Sequence, residues 1–317
     1  MEGVAIDIIT GFLGSGKTSL IKHVLTHGLQ NRRVAVVVND IGEINLDGRV
    51  LEGVAVDRMV ELSNGCICCS ISYQFGAAVQ EIVETTQAEL IIIEATGAAD
   101  PVSLVQEIRT LGLRVDGIIT VVDGECIRRF CKETTVARQQ VQAADFLVLN
   151  KCDRLAAKQL RQCEKFLRRA NPRALLVQST FGAVHTDLLF ATSVQRLRRP
   201  QDRASTPALA HLHDDGIEAF TYTSTRPLQR QLFERFLQRL PPDLYRAKGI
   251  LYFDQEEWSS LFNYTCGRYD LSWFRRRTAF ATAAQAVFIG KHVLQQRQFL
   301  LAQLTACEVA TVPQDAL

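Results

Sequence analysis

The sequence lacks a dominant charge. Lys and Arg total 36 against 34 Asp and Glu, a net charge of +2. That balance argues against nucleic acid as the main partner. The local basic runs, RLRR at 196–199 and FRRR at 274–277, read as solvated faces. There is also no basic leader. MEGVAIDIIT runs straight into a strand pattern, which reads as no secretory signal. No apolar run reaches the roughly 18 residues a spanning helix needs. These absences predict a cytoplasmic protein with no membrane partner. Internal repeats and low-complexity segments are missing too. The nine cysteines are an odd number, against a complete disulfide framework. In a reducing compartment, grouped thiols read as metal or redox sites.

At 317 residues the chain suits one large domain or two ordinary ones. Apolar β-branched runs alternate with helical patterns through the first half. Strands are expected at 4–10, 34–39, near 54–61, and at 90–95, 117–123, 146–150 and 174–179. Helices are expected at 19–28, 72–87, 101–111, 134–144 and 155–170. Apolar strands alternating with helices predict an α/β fold with a doubly wound, mostly parallel sheet. The polar, proline-broken stretch around 191–210 reads as a linker. After it, strands at 216–225, 248–253 and 285–290, runs at 260–266 and 268–274, and helices at 228–240 and 294–306 predict a smaller α+β domain. The expected division is 1–195, a linker at 196–210, and 211–317.

GFLGSGKT at 11–18 fits G-x-x-x-x-G-K-[ST] between a strand and a helix, the context that gives this pattern its mechanism. Gly11, Gly14 and Gly16 allow a tight turn whose N–H groups point at phosphate oxygens. Lys17 brings a positive charge to the β/γ-phosphates, and Thr18 a hydroxyl for Mg²⁺. Ser15 and Ser19 complete the expected nucleotide contacts. NKCD at 150–153 fits the N-K-x-D signature of guanine recognition. The Asp153 carboxylate can accept from guanine N1–H and the 2-amino group. Adenine has neither donor there, and an unpaired acceptor is penalised heavily. Asn150 and Lys151 would brace that loop. Ser179 and Thr180, at the next strand end, read equally as base pocket or polar turn. In IIIEATG, 91–97, Glu94 is the candidate to organise Mg²⁺ or water, and Gly97 to offer an N–H near the γ-phosphate.

In an open doubly wound sheet, ligands bind beyond the carboxyl ends of the strands. Gly11–Thr18, Asp40, Cys66–Cys69, Glu94, Asp123 and Asn150 all fall at such ends. The three thiols of NGCICCS, Cys66, Cys68 and Cys69, therefore share an edge with the nucleotide. Thiolates favour Zn²⁺ and other borderline or soft ions. A structural Cys₄ site uses two separated C-x-x-C pairs, and no second pair stands out. The thiols read as an exchangeable metal site, against a purely structural site, redox chemistry or inert cysteines. Asp40 is a candidate fourth ligand. The other cysteines read as small core or surface residues.

GFLGSGKTS, VNDIGEINLD, NGCICCS, IEATGAADP and NKCD, in this order, resemble the CobW-type metal-chaperone GTPases, relatives of HypB and UreG. YRAKGILYF and QAVFIGK look like the small CobW C-terminal domain, so the resemblance covers nearly the whole chain. It implies a GTPase using GTP/GDP and Mg²⁺ that holds a transition metal on the C-x-C-C thiolates and delivers it to a client metalloprotein. Zinc comes first, with Co²⁺ and Ni²⁺ as further candidates. The family's N-E-F-G-E is NDIGE here, Asn39 to Glu43, and the shorter Asp40 shifts the carboxylate's reach. Glu43 lies in the segment expected to switch with the γ-phosphate. Of the His-rich tract of many relatives, only His211 and His213 remain. They read as a plain loop pair rather than an entry site.

No residue stands out as an arginine finger or a water-positioning Gln, so slow intrinsic hydrolysis is expected. The rival reading is a regulatory GTPase whose cysteines sense redox state. A small-molecule kinase would need an acceptor pocket, and nothing after residue 191 offers one. A homodimer is among the compatible assemblies.

Overall fold

The computed structural model describes residues 4–27, 29, 33–40, 58–63, 71–86, 88–190, 217–276 and 284–309. The chain divides into two compact units, Met1–Phe190 and Ala191–Leu317. The first carries a seven-stranded sheet of β1 (Ala5–Thr10), β2 (Val34–Asp40), β3 (Arg58–Ser63), β4 (Leu90–Glu94), β5 (Val115–Asp123), β6 (Phe146–Asn150) and β7 (Leu175–Gln178). The order is β3-β2-β4-β1-β5-β6-β7, with every neighbouring pair parallel. This is the expected parallel α/β sheet. β1, β4 and β6 read AIDIIT, LIIIE and FLVLN, buried throughout. A sheet covered on both faces requires such runs.

Helices close over these strands by their apolar stripes. Phe75, Val79 and Ile82 of the helix Ile71–Thr85 pack with Ile6, Ile8, Val37, Ile91 and Ile93. Val141, Cys163 and Leu167, from the helices Thr135–Ala143 and Ala157–Ala170, pack with Val122, Leu147 and Leu149. Asp100 caps the helix Pro101–Thr110 by accepting from the Val102 and Ser103 amides, with proline favoured at the first helical position. The helix Ile127–Glu133 was not expected from the sequence. It is short, and the side chain of its N-cap Cys126 makes no capping hydrogen bond, so it carries no capping signal.

β1 sits at the centre. The chain lays β2 to β4 on one side of it and β5 to β7 on the other. That reversal is the switch point where open α/β sheets bind ligands.

The second unit is a five-stranded antiparallel sheet ordered β11-β10-β9-β12-β8. Its strands are β8 (Ile217–Ser224), β9 (Leu244–Tyr252), β10 (Trp258–Thr265), β11 (Arg268–Arg276) and β12 (Ala284–Lys291). Cys266 and Gly267 both have positive φ, 46° and 88°, and turn β10 into β11 as a two-residue hairpin of the favoured twist. β9 starts at Leu244, earlier than the expected 248, almost directly after Pro241-Pro242. The final helix runs Arg297–Ala306, with turns where the sequence pattern put its first residues. Both helices, Arg230–Gln238 and Arg297–Ala306, contribute to the core. Phe233 is fully buried there, edge-on to Phe262 with ring centroids 5.2 Å apart. The expected linker at 196–210 lies outside the described residues. No described helix is long and apolar enough to cross a membrane.

Phe233→Ala removes the ring at the centre of this core. It is expected to cost about 3–5 kcal/mol, read as a lower urea midpoint for the variant.

Candidate functional site

All the strands of the first sheet are parallel, so their carboxyl ends form one edge. Gly11 leaves β1 with φ 143°, and Gly14 and Gly16 have φ 72° and 102°, a region that side chains rarely tolerate. Space adds to the constraint. A Cβ on Gly11 would meet the Val121 carbonyl oxygen at 2.1 Å, and one on Gly16 the Asn150 Nδ2 at 2.3 Å. Lys17 opens the helix Lys17–His27, its Nζ donating to the Gly11 carbonyl at 3.1 Å across the loop. The helix is anchored by Leu20, Ile21, Val24 and Leu25, all buried. Its N-terminal N–H groups and partial charge face the loop, a geometry suited to anions. Ser19 lies on its exposed side.

Thr18 Oγ1 donates to Glu94 Oε1 at 3.1 Å. Glu94 ends β4 and is 2 % exposed. β4 places this carboxylate in register with Ile9 of β1, so the threonine and the acid expected to organise Mg²⁺ meet across neighbouring elements. Gly97 follows, seated against the phosphate loop. A Cβ there would lie 2.8 Å from the Leu13 backbone nitrogen.

β6 delivers Asn150, which is buried. Its Nδ2 donates to the Ser15 carbonyl at 2.9 Å, and its Oδ1 accepts from the Gly182 amide at 3.1 Å. One side chain thus joins three loops. Lys151 adopts φ 61°, and its Nζ pairs with Asp123 Oδ2 at 2.7 Å. Asp123 Oδ1 accepts in turn from the Glu125 amide. Asp153 is exposed beyond them, its carboxylate open to a ligand. Ser179 accepts the Cys152 amide on its carbonyl, and its hydroxyl donates to the Ala183 carbonyl. That hydroxyl shapes the turn.

Three features escaped the sequence reading. Gln140, 1 % exposed, donates its side-chain amide to the carbonyls of Gly97 and Ala99 at 3.2 and 3.1 Å. It clamps the loop after Glu94, but a Gln inside a helical pattern carries no signal for that. The Asp123–Lys151 pair joins the ends of two strands that the sequence reading had marked separately. Phe181, 75 % exposed with φ 54°, stands beside the NKCD loop. The glycine after it was its one clue.

Cys66, Cys68, Cys69, Glu43, His211 and His213 lie outside the described residues. The elements around the cysteines are described. β3 ends at Ser63, in register with Asp40 at the end of β2, and the next helix begins at Ile71. Among the described residues, no three His, Cys, Asp or Glu side chains converge to hold a metal.

The phosphate-binding character has an independent mark. Ser15 Oγ and Thr96 Oγ1 are buried with no hydrogen-bond partner among the described residues. Buried polar atoms are nearly always paired, and phosphate oxygens would pair these. The CobW/HypB/UreG nucleotide-binding domain model matches residues 5–178, and the cobalamin synthesis protein CobW C-terminal domain model matches 217–308. The chain belongs to the CobW/HypB/UreG family. Its first domain is a P-loop GTPase domain. It is similar to the zinc chaperone YjiA of Escherichia coli, 30 % identical over 92 % of this chain and 95 % of that one. A zinc-regulated GTPase metalloprotein activator 1 of Schizosaccharomyces pombe is 28 % identical over 81 % of this chain and 74 % of its own. The crystal structure of Zn(II)-bound YjiA GTPase from E. coli aligns over 98 % of this chain and 100 % of that one, with TM-score 0.46 and 23 % identity.

Two substitutions test this CobW-family site. Gln140→Ala leaves two buried carbonyls unpaired and is expected to cost about 1–3 kcal/mol, measured by urea denaturation. Gly16→Ala drives a methyl into Asn150 and is expected to weaken GDP binding by about tenfold or more, measured by titration with a fluorescent GDP analogue.

Proposed function

We propose that this CobW-family GTPase is a metallochaperone. It holds a transition ion, zinc first, on the thiolates of Cys66, Cys68 and Cys69, and passes it to a client metalloprotein under GTP control. The observation that carries the reading is the shared edge. The phosphate loop, the Thr18–Glu94 pair and Asn150 lie at carboxyl ends of parallel strands, and β3 runs to the same edge at Ser63, in register with Asp40. The first of the three cysteines, Cys66, comes three residues after Ser63. The relatives named as zinc chaperone and zinc-regulated activator support zinc as the cargo.

In this reading Gly11, Gly14, Ser15, Gly16, Lys17, Thr18 and Ser19 receive the phosphates. Asp153 accepts the guanine N–H groups, with Lys151 held in place by Asp123. Thr18 and Glu94 would hold Mg²⁺, which supplies charge neutralisation at the β/γ-phosphates. Gly97 offers its N–H toward the γ-phosphate while Gln140 fixes the loop that carries it. Orienting the attacking water is the alternative role for Glu94. The γ-phosphate then biases the segment between β2 and the cysteines, and with it the geometry of the thiolates. Ordering of switch segments by a γ-phosphate is a known device of such sheets. Asp40 is the candidate fourth ligand, Co²⁺ and Ni²⁺ are the alternative ions for a thiolate set, and the cytoplasm keeps the thiols reduced.

Equilibrium dialysis against Zn²⁺, with GDP or a non-hydrolysable GTP analogue, tests the proposal. The wild-type chain is expected to bind zinc with an affinity that depends on which nucleotide is present. The variant with Cys66, Cys68 and Cys69 all changed to Ser is expected to lose that dependence. Zinc binding that ignores the nucleotide, or that survives unchanged in the triple variant, would contradict it.

A further inference from the structure

The helix that begins at the phosphate loop has a second end, and three imidazoles gather there. His23 and His27 lie one turn apart on the helix Lys17–His27. Their rings stack with centroids 4.7 Å apart and 24° between planes. His23 is half-buried and His27 exposed. The segment after β7 lies against the same helix. A Cβ on Gly182 would stand 2.6 Å from the Leu20 backbone nitrogen. That seating brings Val184 and His185 to the His23 ring.

The hydrogen bonds set the chemistry of these rings. His27 Nδ1 is 3.1 Å from the His23 carbonyl oxygen. A carbonyl only accepts, so Nδ1 is the donor in this bond, and Nε2 is the nitrogen the bond does not engage. The Val184 backbone lies close enough to the His23 ring to act on it. Metal-binding histidines are commonly fixed this way, with one ring N–H on a backbone carbonyl. Burial, and then the neighbouring His27, hold the His23 imidazole below its ordinary pKa, with His185 adding to the effect.

Spacing and field agree. Two histidines at i and i+4 share one helical face, as in helical zinc sites. Helix C-termini carry a partial negative charge that favours cations. The helix thus faces anions at its start and a cation at its end.

We propose that His23 and His27, with His185 beside them, form a surface site for a borderline divalent ion of the zinc and nickel class. Imidazole suits these ions. Three donors do not converge among the described residues, so the site is an open two-nitrogen chelate with His185 near enough to influence His23. Open positions suit pick-up and release. The helix puts this site about 15 Å from the phosphate loop, at 1.5 Å per residue. No cysteine takes part, so the proposal stands apart from the thiolate reading.

The test uses the full chain with Cys66, Cys68 and Cys69 changed to Ser, titrated with Zn²⁺ against a chromophoric chelator. This variant is expected to retain zinc binding. Adding His23→Ala and His27→Ala is expected to weaken it by about tenfold or more. His27→Ala alone, at an exposed ring, is expected to weaken it without altering the circular dichroism spectrum. The His27 imidazole resonances are expected to shift on adding zinc. A triple-Ser variant that binds no zinc, or His variants that bind as tightly as their parent, would overturn the site. Co²⁺ separates this outcome from the cysteine reading. The wild-type chain shows a thiolate-to-cobalt charge-transfer band only if the cysteines bind, whatever the imidazoles do.

Discussion

The buried Asn150 amide is the joint on which the site depends. Its two polar atoms face two loops, and its backbone belongs to a third. A side chain in that position must hydrogen-bond at both ends or pay the full desolvation penalty. The Ser15 carbonyl and the Gly182 amide satisfy it. The phosphate loop, the NKCD loop and the turn after β7 are thereby held in one arrangement. Gly16 is glycine for the same reason, since any Cβ would meet this amide. A ligand entering such a site finds its contacts already placed, which lowers the cost of ordering them.

A second clamp works on the opposite side of the phosphate loop. Gln140 holds the carbonyls of Gly97 and Ala99, and Gly97 presses on Leu13. The loop after Glu94 is fixed to a helix on one side and to the phosphate loop on the other. β2 and β3 end together at Asp40 and Ser63, the edge on which the proposed response to the γ-phosphate would act.

The sequence showed the fold because a parallel sheet writes itself as apolar runs. AIDIIT, LIIIE and FLVLN had no reading other than buried strands, and the glycines of the phosphate loop had a conformational reason to be there. NKCD was legible because its residues are contiguous. The clamps were not, since each joins residues far apart in the chain. Gln140 lies 43 residues from Gly97, and Lys151 lies 28 from Asp123. Nothing local in a helix distinguishes a clamping Gln from a solvated one. The short helix Ile127–Glu133 was missed because it lacks a cap. Ser179 was read as a base contact or a turn residue, and its bond to the Ala183 carbonyl gives its hydroxyl to the turn. The i, i+4 spacing of His23 and His27 is local, but the segment that packs beside them is not. The significance of the pair comes from the segment at 182–185 lying against the helix.

The central claim is that nucleotide and metal are coupled through one sheet edge. The most direct measurement is the complete linkage cycle: zinc affinity with GDP and with a non-hydrolysable GTP analogue, and the preference between those two nucleotides with and without zinc. Coupling requires the two ratios to be equal and to differ from one. Ratios of one on both arms would show that the edge holds two independent ligands, and the account of a GTP-controlled metal grip would fail.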